Sequence, residues 1–285
     1  MRPIRSPRVA TTPASPIGEQ HYIAAGAQRI RVNIRHGSGV PLVLCNGIGA
    51  SLEVLDPLVE QLDPDSTVVR FDVPGTGGSP TSVVPYTFPY LACVVGQVLS
   101  KLGISVVDVL GISWGGALAQ QFALQNPRRC RRLVLVATGT GALMVPGRPW
   151  ILAKLLTPRR FSDADYAASI AGELYGGTVR RHGDDVAALF AQQLHAGSKI
   201  GYLHQLLAGS VWTSLFALSA VRQDTLIVAG TDDPIIPVVN AHIMDALLPH
   251  SRLHVHAGGH IDLVQNAAEL APVVGKFLRG PGERP

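Results

Sequence analysis

Short, almost wholly apolar runs alternate with amphipathic stretches along the first half of the chain. Residues 41–45, 67–71, 106–110 and 133–137 are such runs. They fit strands buried on both faces of a parallel sheet, where no polar face is left to alternate. Residues 21–35 hold two further strand-like runs around Gly26. Helical spacing follows the loop at 46–50 as far as about Leu62, and returns over 86–102 and 117–124. From about Gly141 to Ala220 the alternation stops and only helices and loops are predicted. Strand patterns resume at 225–229 and 253–256. Strand–helix alternation predicts an α/β, doubly wound, mostly parallel sheet. Its helical interruption is expected as a lid over the sheet's carboxyl edge, where such folds bind ligands. The expected organisation is a sheet unit of residues 19–140 and 221–280, a lid of 141–220, and a poorly ordered tail of 1–18 broken by Pro3, Pro7, Pro13 and Pro16.

Composition narrows the function classes. With 47% apolar residues the chain can bury a sizeable core, and a formal charge of +4, spread along its length, gives no footprint for nucleic acid. The one cluster, residues 128–132 with four arginines, reads as a solvated helix end and turn. The N-terminal region lacks the apolar core of a signal peptide, and no run of about 20 apolar residues is present to cross a membrane. Cys45, Cys93 and Cys130 are far apart with no C-x-x-C, which predicts reduced thiols and a reducing, cytoplasmic compartment. No metal-ligand spacing and no cofactor motif is visible. The glycine-rich stretch at 74–78 lacks the Lys-Ser/Thr of a phosphate loop and reads as a tight turn.

The chemistry is concentrated at Gly111-Ile112-Ser113-Trp114-Gly115, which lies between an apolar strand and a helical pattern. A serine on so sharp a strand-to-helix turn projects from the sheet edge, and small residues two positions either side let the backbone fold back. A nucleophilic serine needs a base, and the base an orienting acid; on such elbows the order is serine, acid, histidine. His260, after Gly258-Gly259 beyond the last strand, is the candidate base; His254 and His256, on one face of that strand, are expected to be structural. In the loop after 225–229, Asp233 is the candidate acid, with Asp232 read as a turn cap and Asp262 as the alternative acid. Oxyanion donors are expected from the backbone N–H of Trp114 and, through the Gly47-Ile48-Gly49 loop, of Ile48.

Taken together, Asn46-Gly47, Asp72-x-Pro-Gly-x-Gly-x-Ser79, Gly111-x-Ser-x-Gly115, Gly230-x-x-Asp233 and His260 resemble the α/β-hydrolase superfamily over nearly the whole chain after the tail. Within it the sequence is similar to the intracellular medium-chain-length polyhydroxyalkanoate depolymerases. The similarity rests on Phe71 to Gly75 and Ser113 to Ala123. In the lid it rests on Met144 to Gly147, Pro158-Arg159-Arg160, Tyr175-Gly176-Gly177 with Arg180-Arg181, Lys199 to Tyr202 and Trp212 to Ser214. The proline-rich tail and several lid positions depart from that pattern. The resemblance implies an α/β-hydrolase fold with Ser113 as nucleophile, Asp233 as acid and His260 as base. It also implies a substrate of stored 3-hydroxy fatty acid polyester, met at granule surfaces in the cytoplasm. Met144, Trp150 and Trp212, with Leu143, Leu152, Leu206 and Leu215, are expected to receive alkyl side chains. A small-molecule carboxylesterase or lipase, or a carbon–carbon bond hydrolase of the same fold, would use the same three residues and is the alternative.

Overall fold

The computed structural model describes residues 17–161, 163–181 and 197–280. An antiparallel hairpin, β1 (Glu19–Ala25) and β2 (Gln28–Arg35), opens the chain. There follow β3 (Ser38–Cys45), α1 (Asp56–Gln61), β4 (Ser66–Phe71), α2 (Phe88–Lys101), β5 (Val107–Ile112), α3 (Trp114–Gln125) and β6 (Cys130–Val136). Next come α4 (Pro149–Leu155), α5 (Ala164–Tyr175), α6 (Gly177–Arg181) and α7 (Lys199–Val211). The chain closes with β7 (Asp224–Gly230), α8 (Val239–Leu247), β8 (Ser251–His256), α9 (Asp262–Gln265) and α10 (Ala267–Arg279). The strands form one sheet in the order β1-β2-β4-β3-β5-β6-β7-β8. β1/β2 and β2/β4 pair antiparallel and every later pair is parallel.

The apolar runs are uniform because the sheet is covered on both sides. Val43, Val69, Val109, Leu133 and Ile227 point to one face, against α2 and α3. Their neighbours Leu42, Leu44, Val68, Leu110, Val134 and Val228 point to the other, against α1 and α10. Pro41, which cannot donate to a ladder, sits where the β3/β4 register shifts between Ser38 and Leu42. A separate small core of Ile151, Ile170, Leu174, Tyr175, Val179 and Tyr202 holds the helices between β6 and β7 together, with Ile235 from the loop after β7.

One expectation needs correction in part. Residues 128–132 are a solvated helix end and turn only at Arg128, which is exposed just after α3. Strand β6 already begins at Cys130, so Arg131 donates through Nε to the buried Asp108 carboxylate (2.8 Å), and the buried Arg132 donates to the Leu278 and Gly280 carbonyls. The arginines staple the C-terminal end of α10 to the start of β6. Residues 1–16 lie outside the described residues, but Ile17 accepts a 2.9 Å hydrogen bond from Arg70 and packs on the core. The turn at 74–78 is structural as expected, with Gly78 N–H donating to Asp72 Oδ2 at 2.8 Å.

Glycine contacts generate a paired prediction. A Cβ on Gly115 would collide with the carbonyl oxygens of Cys45 and Asn46, whereas a Cβ on Gly96 inside α2 meets only ordinary van der Waals contacts. Gly115→Ala should lower Tm by several degrees, from roughly 1–3 kcal/mol of overpacking at about 2–4 °C per kcal/mol. Gly96→Ala should raise it by about 1–4 °C through lower unfolded-chain entropy. Thermal unfolding of both variants beside the parent chain checks the pair.

Candidate active site

Ser113 stands between the end of β5 and the first turn of α3 with φ 54° and ψ −119°, a left-handed backbone that only tight surroundings maintain. Those surroundings are hydrogen-bonded. Ser113 N–H donates to Val136 O (2.9 Å), and its carbonyl accepts from Gly116 N (2.9 Å) and Thr138 Oγ1 (2.7 Å). Gly111 and Gly115 are small by necessity, because a Cβ on Gly111 would strike Gly115 O and Ala119. The side chain therefore leaves the sheet's carboxyl edge in one direction.

The loop after β8 brings His260 over that edge. His260 Nε2 lies 2.9 Å from Ser113 Oγ, and Nδ1 lies 2.8 Å from Asp233 Oδ2. The other carboxylate oxygen of Asp233 accepts from Ile235 N and Ile236 N, each at 2.9 Å, so the group is buried and oriented at both oxygens. Such a chain of contacts can carry a proton from a hydroxyl to an imidazole and stabilise the imidazolium that results. The neighbouring acids do other work. Asp232 accepts from Gly177 N (2.7 Å) and pairs with Arg180, and the buried Asp262 accepts from Thr178 N (3.2 Å) and Thr178 Oγ1 (2.8 Å). Both tie α6 to the loops bearing Asp233 and His260. His254 and His256 stack on one another along β8, with ring centroids 6.3 Å apart. Burial pushes the His256 pKa below that of an ordinary imidazole, with smaller charge effects around it.

Backbone donors surround Ser113. In the loop after β3, Gly47 N–H donates to Asn46 Oδ1 (2.8 Å), Gly49 N–H to Gln205 Oε1 (3.0 Å) and Ala50 N–H to Gly47 O (3.2 Å). Among the described residues the N–H groups of Ile48 and Trp114 have no protein acceptor. Ile48 and Trp114 flank Ser113 in the lining of one cavity, which leaves both donors available to a charge developing there.

That cavity, of about 540 Å³, is largely apolar and runs between the sheet edge and the helices inserted after β6. Met144, Leu152, Leu206 and Trp212 line it, as does Phe88, which packs its ring 5.1 Å from that of Trp212. Trp150 does not belong to it. Helix α4 turns Ile151, Leu152 and Leu155 inward and leaves Trp150 55% exposed beneath the Arg148 guanidinium. Leu143 is exposed, and Leu215 is half-buried outside the lining. A second, smaller cavity of about 80 Å³ adjoins it at Ile48, Ser113, Leu155 and Ile235, and is lined also by His260, Arg160 and Tyr175.

Three contributors had no place in the site from the sequence, although two of them fall in lid segments named above for their resemblance. Gln205, on α7, is buried and bridges three parts of the site. Its side chain accepts from Gly49 and donates to Thr76 Oγ1 (2.8 Å), and its carbonyl accepts from Trp114 Nε1 (2.9 Å). The Tyr175-Gly176-Gly177 corner is the second: Tyr175 O accepts from His260 N (2.8 Å), and a Cβ on either glycine would clash with the Asp232 or Gly259 backbone. Arg160 is the third. A glutamine within an amphipathic helix carries no local mark of a partner 156 positions away; the doubled glycine after a helical stretch was the one available signal.

The alpha/beta hydrolase fold family matches residues 40–267. The chain is 45% identical over 259 residues to the poly(3-hydroxyalkanoate) depolymerase of Ectopseudomonas oleovorans, across 90% of this chain and 91% of that protein. It is 27% identical over 282 residues to the 2-hydroxymuconate semialdehyde hydrolase of Pseudomonas sp. (strain CF600), across 93% and 95%. Among solved structures, a hydrolase from Pseudomonas aeruginosa PA01 matches with a TM-score of 0.79 at 25% identity, across 92% of this chain and 99% of that one. The enol-lactonase of Burkholderia xenovorans LB400 matches with a TM-score of 0.79 at 22% identity, across 91% and 100%, a likeness of fold alone.

Gln205→Leu removes the acceptor of Gly49 N–H and frees the loop that carries Ile48. A displaced donor costs part of what a lost one costs, so kcat on an ester should fall by at least about tenfold while KM moves less than about threefold. Steady-state kinetics on a short p-nitrophenyl ester reads the split.

Proposed function

The chain belongs to the α/β-hydrolase family, and we propose that it is a serine hydrolase of carboxylic esters, acting on medium-chain poly(3-hydroxyalkanoate) or its oligomers. The observation that carries this reading is the run of contacts from Ser113 Oγ through His260 to Asp233, with Ser113 in the lining of a large apolar cavity. The substrate assignment draws on the 45% identity to the depolymerase. Ser113 attacks the ester carbonyl as His260 takes its proton. The N–H groups of Ile48 and Trp114 hold the oxyanion, and the alcohol leaves with the proton from His260. Water then repeats the cycle on the acyl-enzyme, while Asp233 keeps the imidazole in the productive tautomer. In this reading residues 141–220 are the lid, on a core of 19–140 and 221–280, and Met144 and Trp212 receive alkyl side chains of the substrate. No metal or cofactor enters any step.

The polymer is a solid, so the protein must also meet a surface. Ile200, Leu203, Leu207 and Val211 form an exposed apolar stripe on α7. Leu207 and Leu156 are at once exposed and part of the cavity lining, so the stripe runs into the substrate cavity. It supports adsorption of this face to the polyester of a storage granule in the cytoplasm. No helix among the described residues is long and apolar enough to cross a membrane.

Release of 3-hydroxy acids from a medium-chain polyhydroxyalkanoate suspension, beside short and medium p-nitrophenyl esters, tests the reading. Ser113→Ala should reduce both activities by about a million-fold. Ester cleavage without polymer cleavage would assign the protein to small esters instead. The double variant Leu203→Glu/Val211→Glu should lower polymer turnover by at least about tenfold, from lost apolar burial of about 1.5–3 kcal/mol per side chain. Its rate on a dissolved p-nitrophenyl ester should stay within about twofold, and equal losses on both substrates would refute the adsorption face.

A further inference from the structure

Two adjoining spaces share Ser113, Ile48, Leu155 and Ile235 in their linings. The larger is lined also by Trp114 but not by His260. The smaller is lined by Ser113 and His260 together, and beyond them by Arg160. An ester on Ser113 divides in the same way. Its alcohol half must face the imidazole that hands it a proton, and its acyl half is free to occupy the other space. The leaving group therefore lies on the side of the smaller cavity, whose lining includes Arg160.

Arg160 is only 3% exposed, among apolar walls that include Leu155, Ile235 and Ile261. It donates to Tyr202 Oη at 2.9 Å and lies over the same ring, with its central carbon 5.4 Å from the ring centroid. Tyr202 in turn donates to Leu155 O at 2.5 Å. Tyr175, buried and also lining the smaller cavity, is a second phenol within the guanidinium's reach. Burial raises the pKa of both phenols above the usual value, more than the nearby guanidinium lowers it, so both stay neutral at physiological pH. A guanidinium always carries its charge, and in an apolar wall it strongly favours a ligand oxyanion that can accept two parallel N–H bonds.

We propose that Arg160 is a carboxylate-binding residue that recognises the free carboxyl group of a 3-hydroxy acid leaving group. The inference rests on the ester hydrolase reading above. In the terminal unit of a 3-hydroxyalkanoate oligomer, the carboxylate is attached two carbons from the ester oxygen. That short reach matches the small size of the cavity, and the alkyl chain of the acyl half has the larger cavity to itself. An ester inside the polymer has no charge at that place, so Arg160 favours the last ester at the carboxyl end over any interior one.

The test compares two soluble substrates, 3-(octanoyloxy)octanoic acid and its primary amide, which differ only in the charge at this position. The native chain should cleave the acid with a kcat/KM at least about tenfold above that of the amide. Arg160→Met should lower kcat/KM on the acid by at least about 30-fold, the usual scale for removing one partner of a buried charge pair, and change the amide by less than about threefold. Cleavage of the amide also reports that the variant is folded. Arg160→Lys, which keeps the charge but not the planar fork, should fall between the two on the acid. Equal losses on acid and amide in both variants would make Arg160 structural and overturn the proposal. So would an unchanged preference for the acid in Arg160→Met, or failure of the native chain to cleave either compound. Polymer turnover reads the substrate assignment separately: a chain inert on the suspension that still prefers acid to amide through Arg160 keeps the subsite and loses the polyester.

Discussion

The backbone at Ser113 is the constraint on which the site depends. A non-glycine residue at φ 54° costs on the order of 1–3 kcal/mol, and here it is flanked by contacts too close for any side chain at Gly111 or Gly115. The strain is maintained because every alternative is closed. The Val136 carbonyl holds the amide, Thr138 holds the carbonyl, and the Cys45 and Asn46 backbone presses on the far side. β3, β5 and β6 all converge on this turn, so the packing of the central sheet and the direction of one hydroxyl are a single property. Helix α3 then starts where Ser113 ends, with the first of its N–H groups, that of Trp114, left for a ligand.

Much of this was legible in the sequence because steric demands leave local marks. Gly111 and Gly115 flank Ser113 because nothing larger fits, Asp233 follows a strand with a plain apolar run, and His260 follows a doubled glycine beyond the last strand. The sheet was legible for the same reason, since burial on both faces leaves few polar positions in its central strands. Trp150 misled because hydrophobicity does not tell which side of a short helix faces in; α4 has one inward face, and Ile151 and Leu152 occupy it. The arginines at 131 and 132 misled because charge argued for solvent, while their partners, Asp108 and the carbonyls of Leu278 and Gly280, lie far off in the chain. Gln205 falls in the same class, a polar residue whose contacts exist only after tertiary folding, with nothing in its neighbourhood to distinguish it from a surface residue.

The helices between β6 and β7 are commonly thought of as a cover, separable from the chemistry below. The hydrogen bonds here join the two. Tyr175 O accepts from the backbone of His260, Asp232 and Asp262 accept from the start of α6, and Gln205 grips the loop of Ile48 and the indole of Trp114 at once. The insertion thus helps set the position of the base and of both backbone donors, as well as the shape of the cavity.

This arrangement restricts how substrate can enter. An outward swing of α7 would strip Gly49 N–H and Trp114 Nε1 of their acceptors, and Thr76 Oγ1 of its donor, in one movement. It would also part the Cα-to-Cα packing of Gly201 on Gly75, where no side chain is available to keep contact as the helix lifts. Opening by that route dismantles the oxyanion geometry and leaves a buried amide unsatisfied, at roughly 1–3 kcal/mol for each such group. The apolar rim of Leu156 and Leu207 involves none of these bonds, and it is already open to solvent. Entry past that rim keeps α7 in place, so a chain lifted from an adsorbed surface can reach Ser113 with the donors of Ile48 and Trp114 still aligned.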